Sequence, residues 1–402
     1  MALKVLKFGG TSLASIERIE AVSGYIGDQV ALDNQLVVVV SAMGKMTDEL
    51  KGMAYKISDS PDPRELDMLL TAGERIAMAL LSIALQKRGI PSQSFTGSQS
   101  GILTDGTHGN ARIERILGDR LRSALSENKV AVVAGFQGMN LETKNITTLG
   151  RGGSDLTAVA MADTLMADSC EIFTDVLGVY SADPLLVKNA KLISELHWDE
   201  MVLLAEAGAG VLHARAAVLA RERGVPIRIA SSFDFSSPGT TVGDVKRGAL
   251  SNVCFVSCKS GLELHRYLLE QPPSSDFIAA QIKNNGNDSN DLFCSSIYSN
   301  CRVGGGNFIA IGVPALICAM DLAIEKSMEK TRYKNISRTK NIAVVTINFD
   351  DLSRFDGRFG KEWLALNKVE LMYQQNDQSL TIVIDEKNLA EIVASIHDDI
   401  LN

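Results

Sequence analysis

Short, nearly continuous apolar runs alternate with longer segments of helical periodicity over the first 248 residues. The runs predicted as strands are 3–8, 36–41, 130–135, 171–174 and 226–231. The segments predicted as helices are 15–30, 64–87, 111–126, 156–167 and 210–223. Continuous apolar strands are typical of a sheet that is covered on both faces. The pattern therefore predicts an α/β domain with a mainly parallel sheet sandwiched by helices.

The alternation ends at a turn-rich segment, Pro-Gly-Thr-Thr-Val-Gly, at residues 238–243. Near the C-terminus the pattern predicts strands at 341–348, 369–373 and 379–384 and helices at 361–367 and 388–401. These elements indicate a small α+β module on an antiparallel sheet. We therefore predict two domains, at 1–248 and 249–402, with the module beginning at about residue 341.

Composition excludes several classes of partner. The chain has 402 residues, 46% of them hydrophobic, and a formal net charge of −8, which argues against nucleic-acid and membrane partners. The N-terminus leads directly into a predicted strand, and no apolar run is long enough for a bilayer span, so we expect a cytoplasmic protein. The six cysteines form no CxxC pair and the histidines lack ligand spacing, so reduced thiols and no protein metal site are predicted.

Two glycine-rich loops carry the strongest functional signal. The first, at 7–12, is Lys-Phe-Gly-Gly-Thr-Ser after a predicted strand, and the second, at 148–155, precedes a predicted helix. Glycines let backbone N–H groups approach a polyanion, and a helix that starts there adds its positive end. The pair of loops predicts one site that holds a phosphate donor together with an anionic acceptor.

Charged residues in and near these loops have a chemical and a structural interpretation. Lys7 is suited to phosphate oxygens and Arg151 to a carboxylate, although each is also compatible with a solvated surface position. Asp155 is predicted to orient Lys7 or a metal, or only to favour the helix dipole, and Ser154 is predicted as an N-cap. Glu74 lies on an apolar helical surface and needs a cationic partner, which is either a substrate ammonium or an arginine.

Polar residues also follow other predicted strands. Ser41 and Thr47 are placed to bind a substrate carboxylate or to cap the next helix. Thr174, Asp175 and Tyr180 lie at a strand end that could frame a purine and ribose, or form an ordinary strand-to-turn junction.

Six motifs follow one another along the chain, at 7–12, 40–44, 71–74, 148–155, 173–180 and 208–213. In these motifs and in their order the chain resembles the aspartate kinases of the amino-acid kinase family. The resemblance implies ATP-dependent phosphorylation of the β-carboxylate of L-aspartate to 4-phospho-L-aspartate with Mg²⁺, the first step of aspartate-family amino-acid biosynthesis, including that of lysine.

The resemblance also implies a role for each matching residue. Lys7 would contact the transferring phosphoryl group and Asp155 would organise Lys7, with Gly10 counted among the catalytic residues. Arg151 would bind the aspartate α-carboxylate and Glu74 its ammonium. The other implied substrate-binding residues are Ser41, Thr47, Gly152 and Ser154. The implied nucleotide-binding residues are Lys7, Gly9, Gly10, Thr11, Ser12, Thr174, Asp175, Tyr180, Asp183, Gly210 and Val211.

Two departures from the family pattern leave alternatives open. Leu185 stands where the family usually has an arginine near the ATP phosphates, and residues 212–215 read Leu-His-Ala-Arg in place of Leu-His-Pro-Arg. Leu185 motivates one alternative, an amino-acid-binding regulatory protein with a weakened kinase site. Another alternative is a kinase for a related small amino acid, because Glu74 and Arg151 favour an α-amino acid but do not alone choose aspartate over a close analogue.

The C-terminal region is similar to a pair of ACT modules, of which the first, at about 252–340, has diverged. The usual effector loop is missing from that first module, and Phe-Asp-Gly-Arg at 355–358 stands where a His-Pro-Gly sequence is common in the second. The resemblance implies a possible amino-acid effector and a homodimer formed through these modules.

Overall fold

The computed structural model describes residues 2–245, 255–269, 292–297, 306–312, 333–348, 371–376 and 379–401. The chain divides into two compact units. The first contains Met1–Tyr180, Lys191–Ala205 and Ala209–Leu250, and the second contains Ser181–Ala190, Glu206–Gly208 and Ser251–Asn402.

The first unit alternates strands and helices. Its strands are β1 (Leu3–Phe8), β2 (Gln35–Val40), β3 (Ser92–Phe95), β4 (Ile102–Thr104), β5 (Ile113–Ile116), β6 (Val130–Ala134), β7 (Gln137–Asn140), β8 (Ile146–Thr148), β9 (Ser169–Thr174), β10 (Glu195–His197), β11 (Ile227–Ser231) and β12 (Thr240–Gly243). The helices in this part of the chain are α1 (Ile16–Ala31), α2 (Met46–Ile57), α3 (Pro63–Leu70), α4 (Ala72–Lys87), α5 (Asp119–Ser126), α6 (Gly153–Leu165), α7 (Trp198–Glu206) and α8 (Ala214–Arg223).

The main sheet has the strand order β10-β12-β11-β9-β1-β2-β6-β3. All neighbouring strands are parallel except β11 and β12. Apolar side chains of β1, β2 and β6 share one buried cluster with α1 and α4, and α6 contacts β1 and β9. The predicted α/β fold with a mainly parallel sheet is therefore confirmed.

A smaller sheet of the first unit has the order β5-β4-β7-β8 and carries the second glycine-rich loop at the end of β8. This sheet corrects one prediction, because the helix expected at 111–126 is a strand followed by the shorter helix α5. Gly118 separates the two elements with φ of 73°, a left-handed conformation that a continuing helix cannot adopt.

The apolar helix predicted at 64–87 is divided at Thr71 into α3 and α4. By length and composition alone, Pro63–Lys87 is a 25-residue stretch that could cross a membrane, which corrects the expectation that no such run exists. In the fold, 56% of its most apolar window is buried against the rest of the protein, as in a core helix.

The second unit is built on an antiparallel sheet. Its described elements are β13 (Phe255–Leu269), β14 (Leu292–Ile297), β15 (Gly306–Gly312), β16 (Tyr333–Asn348), β17 (Leu371–Asn376), β18 (Ser379–Asp385) and the helix α9 (Leu389–Leu401). The strand order is β14-β15-β13-β16-β18-β17, which is consistent with ACT-like modules. The helix predicted at 361–367 lies outside the described residues.

Residues 181–190 pack within the second unit, which the sequence pattern did not indicate. Ala182 and Val187 are buried in one apolar cluster with side chains of β16, β18 and α9. The carbonyl oxygen of Ser181 accepts a 3.0 Å hydrogen bond from the N–H of Val256, and its hydroxyl lies 3.0 Å from His397 Nε2. The segment is thus held by both apolar and polar contacts.

We predict that Val187→Ala lowers the free energy of unfolding of the second unit by about 2 kcal/mol, because it leaves a cavity in this cluster. Hydrogen exchange should show lost protection in β16 and β18. Leu185→Ala is the matched control, because Leu185 is 93% exposed, and should change stability by less than about 0.5 kcal/mol. Equal effects of the two substitutions would contradict the assigned packing.

Candidate active site

The two glycine-rich loops meet through an ion pair. Lys7, near the end of β1, is 9% exposed, and its Nζ lies 2.6 Å from Asp155 Oδ1. Asp155 lies in the first turn of α6, which packs against β1. The structure therefore brings together the two charged residues that the sequence analysis assigned to phosphoryl transfer and its organisation.

The first glycine-rich loop makes close backbone contacts. The N–H of Gly9 donates a 3.2 Å hydrogen bond to the carbonyl oxygen of Phe173, and the N–H of Gly44 donates a 2.9 Å hydrogen bond to that of Gly10. A Cβ at Gly10 would lie 2.9 Å from the carbonyl oxygen of Ala42, so a larger residue would displace backbone there. Thr11–Leu13 then forms a 3₁₀ turn. Within it the Ser12 hydroxyl is buried, and it has no hydrogen-bond partner among the described residues.

The second glycine-rich loop requires glycine on both sides of Arg151. Gly150 and Gly152 have φ of 75° and 66°, and a Cβ at Gly152 would overlap the ring of His213. Arg151 itself is exposed. Ser154 is not the N-cap that the sequence suggested, since α6 begins at Gly153 with Gly152 as its N-cap. The glycine before the helix can take the left-handed conformation, which places Ser154 inside the first turn.

The carboxylate of Glu74, in the first turn of α4, is buried, and one of its two oxygens accepts a hydrogen bond. It is 3% exposed, and its Oε1 accepts a 3.1 Å hydrogen bond from the N–H of Ala42. Its Oε2 is buried without a hydrogen-bond partner in the described part of the chain, where no arginine forms an ion pair with Glu74. Burial raises the pKa of Glu74 to about 7.

The other predicted substrate residues lie near the end of β2. Ser41 follows β2, and its N–H donates a 3.1 Å hydrogen bond to the carbonyl oxygen of Phe8, the last residue of β1. Thr47 is in the first turn of α2, and both side chains are half-buried. Their positions are compatible with a pocket beyond the carboxyl ends of the strands, where ligands bind in such sheets.

The predicted nucleotide residues are distributed over both units. Thr174 ends β9, and its hydroxyl donates a 3.1 Å hydrogen bond to Asp175 Oδ1. Tyr180 forms an isolated bridge with Leu192. Asp183 belongs to the second unit, where its Oδ1 accepts a 2.8 Å hydrogen bond from the N–H of Leu185. The last two predicted residues, Gly210 and Val211, lie in the loop before α8.

No site role was predicted for three residues that hold the second glycine-rich loop. Asp67 accepts a hydrogen bond from the hydroxyl of Thr148, His108 contacts the same carboxylate, and Arg215 donates to the carbonyl oxygen of Leu149. The available sequence signal for a buried role of Asp67 was its position as a charged residue within the apolar run Leu66–Leu70.

The described segments contain no group of three histidine, cysteine, aspartate or glutamate residues that could hold a metal ion. Mg²⁺ is commonly held by substrate phosphates, waters and one or two carboxylates.

Comparison with known proteins identifies the family. The family model described as "Amino acid kinase family" matches residues 2–231, which is more than half of the chain. The chain belongs to the amino acid kinase family. Aspartokinase from Mycobacterium tuberculosis is 51% identical over 247 residues, which are 61% of this chain and 58% of that protein. The chain thus spans 58% of the length of this curated relative.

Solved structures of similar proteins extend this result to the C-terminal region. Aspartate kinase from Synechocystis is 34% identical with a TM-score of 0.56, covering 99% of this chain and 69% of that one. E. coli aspartokinase III in complex with aspartate and ADP has a TM-score of 0.77 at 20% identity, with full coverage of both chains. At that identity the likeness shows the shared fold of this amino acid kinase.

We predict that Glu74→Gln stabilises the protein at pH 8. Because the folded-state pKa of about 7 exceeds the ordinary value of 4.5, the wild-type protein loses stability as pH rises between these values. The variant should be more stable by on the order of 1–3 kcal/mol at pH 8, and the difference should shrink towards pH 5. Urea unfolding at both pH values measures this. Glu222→Gln, an exposed control in α8, should change stability by less than about 0.5 kcal/mol.

Proposed function

We propose that this amino acid kinase transfers the γ-phosphoryl group of ATP to the β-carboxylate of L-aspartate. The observation that carries the proposal is the Lys7–Asp155 ion pair at the junction of the two glycine-rich loops. Glu74 is linked to the same junction, because it binds the N–H of Ala42 while the carbonyl oxygen of Ala42 packs against Gly10. Similarity to the aspartokinases supports this choice of substrate.

The chemistry of this reaction requires positioning and charge stabilisation rather than a general base. ATP with Mg²⁺ supplies the phosphoryl group, and an aspartate carboxylate is already a nucleophile at neutral pH. Lys7 offsets negative charge that develops on the phosphoryl oxygens, and Asp155 holds its ammonium group in place. The backbone of Gly9 and Gly10 allows phosphate oxygens to approach this end of β1 closely.

The substrate is recognised as an α-amino acid by two opposite charges. The ammonium group of aspartate binds Glu74 and supplies a partner for the buried Oε2. Arg151 binds the α-carboxylate with its planar guanidinium. Ser41, Thr47, Gly152 and Ser154 complete the pocket, and Thr174, Asp175 and Tyr180 hold the nucleotide together with the first glycine-rich loop.

Regulation by an amino acid and pairing into a homodimer belong to the same proposal and rest on the ACT-like second unit. A cytoplasmic location also belongs to it. The alternative, a binding protein with a weakened kinase site, was motivated by Leu185. It becomes the preferred interpretation if the well-folded protein binds aspartate without transferring phosphate.

We predict that the protein forms an acyl phosphate from ATP, Mg²⁺ and L-aspartate, which hydroxylamine traps as a hydroxamate, with much less product from L-glutamate. Lys7→Met combined with Asp155→Asn removes both members of the buried pair and should lower kcat by about 100- to 1000-fold. The control is Lys4→Met on the same strand, whose ammonium lies 3.4 Å from Glu171, and it should retain activity within about two-fold. Absence of acceptor-dependent hydroxamate from the folded wild-type protein would refute the proposed activity.

We predict a specific pH dependence of aspartate use. Since only ionised Glu74 attracts the substrate ammonium and its pKa is about 7, KM for aspartate should rise about ten-fold between pH 8 and pH 6. KM for ATP should change much less over this range. In Glu74→Gln the KM for aspartate should be higher and nearly independent of pH. A wild-type KM for aspartate that is flat between these pH values would remove Glu74 from the assigned role.

A further inference from the structure

The carboxylate of Asp67 is buried and lies outside the roles assigned so far. It belongs to α3, is 1% exposed, and accepts a 2.5 Å hydrogen bond at Oδ1 from the hydroxyl of Thr148. Its Oδ2 lies 2.6 Å from His108 Nδ1, and the N–H of Gly109 is 3.2 Å from each carboxylate oxygen. Burying a carboxylate costs free energy unless it is fully hydrogen-bonded, and these contacts offset that cost for Asp67.

These contacts join the two chain segments that form the base of the loop carrying Arg151. The N–H of Ala111 donates a 2.8 Å hydrogen bond to the carbonyl oxygen of Thr148. A Cβ at Gly150 would lie 2.9 Å from Asn110 Oδ1, so the segments also pack closely. Arg215 donates hydrogen bonds of 2.8 Å to Asn110 Oδ1 and 3.0 Å to the carbonyl oxygen of Ala111. Segments 108–111 and 148–150 are therefore tied together by Asp67 and by Arg215.

The backbone at the tip of this loop is closed by a 3.0 Å hydrogen bond from the N–H of Gly153 to the carbonyl oxygen of Gly150, so the freedom that remains is that of the Arg151 side chain. Arg151 is exposed and lies between two glycines with positive φ. A long side chain on such a tip loses conformational freedom when it binds a ligand, and this loss weakens binding. A fixed base lowers the loss, because it limits the directions in which the guanidinium can point.

We propose that Asp67 is a positioning residue for Arg151, so that the arginine is held ready for the carboxylate of an amino-acid substrate. This inference rests on the proposed function. Asp67 acts through the hydroxyl of Thr148 and the N–H of Gly109, and it contacts no substrate itself. Its removal should impair the use of the amino acid and leave nucleotide use almost unchanged.

The test is a double-mutant cycle with Arg151. Asp67→Asn keeps the shape of the side chain and loses two of its acceptor positions, and Thr148→Val removes the donor hydroxyl. Each substitution is expected to raise two quantities about ten-fold: the KM for L-aspartate and the dissociation constant of L-aspartate measured by calorimetry. This change corresponds to about 1.4 kcal/mol. KM for ATP should change less than about two-fold. In an Arg151→Ala background, each should have less than about a two-fold effect on aspartate binding, because the group it positions is gone.

Asp105→Asn is the matched control. Asp105 is an exposed carboxylate after β4 whose Oδ1 accepts hydrogen bonds from the N–H groups of Thr107 and Arg112, and because asparagine keeps this acceptor oxygen, its substitution should leave aspartate binding unchanged. Equal losses with and without Arg151, or equal effects on ATP and aspartate, would show that Asp67 only stabilises the fold. Melting curves of all variants identify any that are unfolded, and Thr148→Val then replaces Asp67→Asn as the readout.

Calorimetry separates this inference from the proposed activity. If the wild-type protein binds L-aspartate but forms no acyl phosphate, the proposed activity fails while the cycle still tests Asp67 on the dissociation constants. If the wild-type protein does not bind L-aspartate, the role of Asp67 is overturned as well.

Discussion

The ion pair between Lys7 and Asp155 imposes a constraint that the first unit must satisfy as a whole. The two side chains are only 11% and 13% exposed, so either charge without the other would be unfavourable. Lys7 comes from the central strand β1 and Asp155 from α6, nearly 150 residues further along the chain. The two loops can therefore meet only where the parallel sheet and the helix packed on β1 are formed. Core packing and the assembly of the candidate site are consequently one event.

The strand and glycine signals in the sequence were sufficient to predict both loops and five of the eight strands of the main sheet, whereas the short strands β3, β10 and β12 were not predicted. Long apolar runs such as Leu36–Val40 are diagnostic because a central parallel strand is buried on both faces. The error at 111–126 has a physical cause: β5 is short and half-exposed, so its alternation was hidden within a helical pattern. The assignment of Ser154 as an N-cap failed because Gly152 adopts a left-handed conformation that residue type alone does not specify.

The partner of the Glu74 carboxylate is the part of the site that sequence reasoning left open. From the sequence alone, an arginine and a substrate ammonium have similar weight as the partner of Glu74, since both satisfy a carboxylate. The choice depends on which groups of distant segments reach the carboxylate, and in the folded chain Glu74 Oε1 accepts a hydrogen bond from the backbone N–H of Ala42 after β2. The network around Asp67 was missed for the same reason, because its members come from three segments that are adjacent only in the folded chain.

The packing of residues 181–190 limits where the chain can be cut to express the first unit alone. A break near residue 250 follows the composition change in the sequence, but it would leave Ala182 and Val187 attached to the first unit without the apolar side chains that cover them. A fragment ending there would expose the apolar side chains of this segment to water and would tend to aggregate. An expression fragment of the first unit therefore needs polar replacements at these two positions, and poor solubility of the unmodified fragment would say nothing about its catalytic competence.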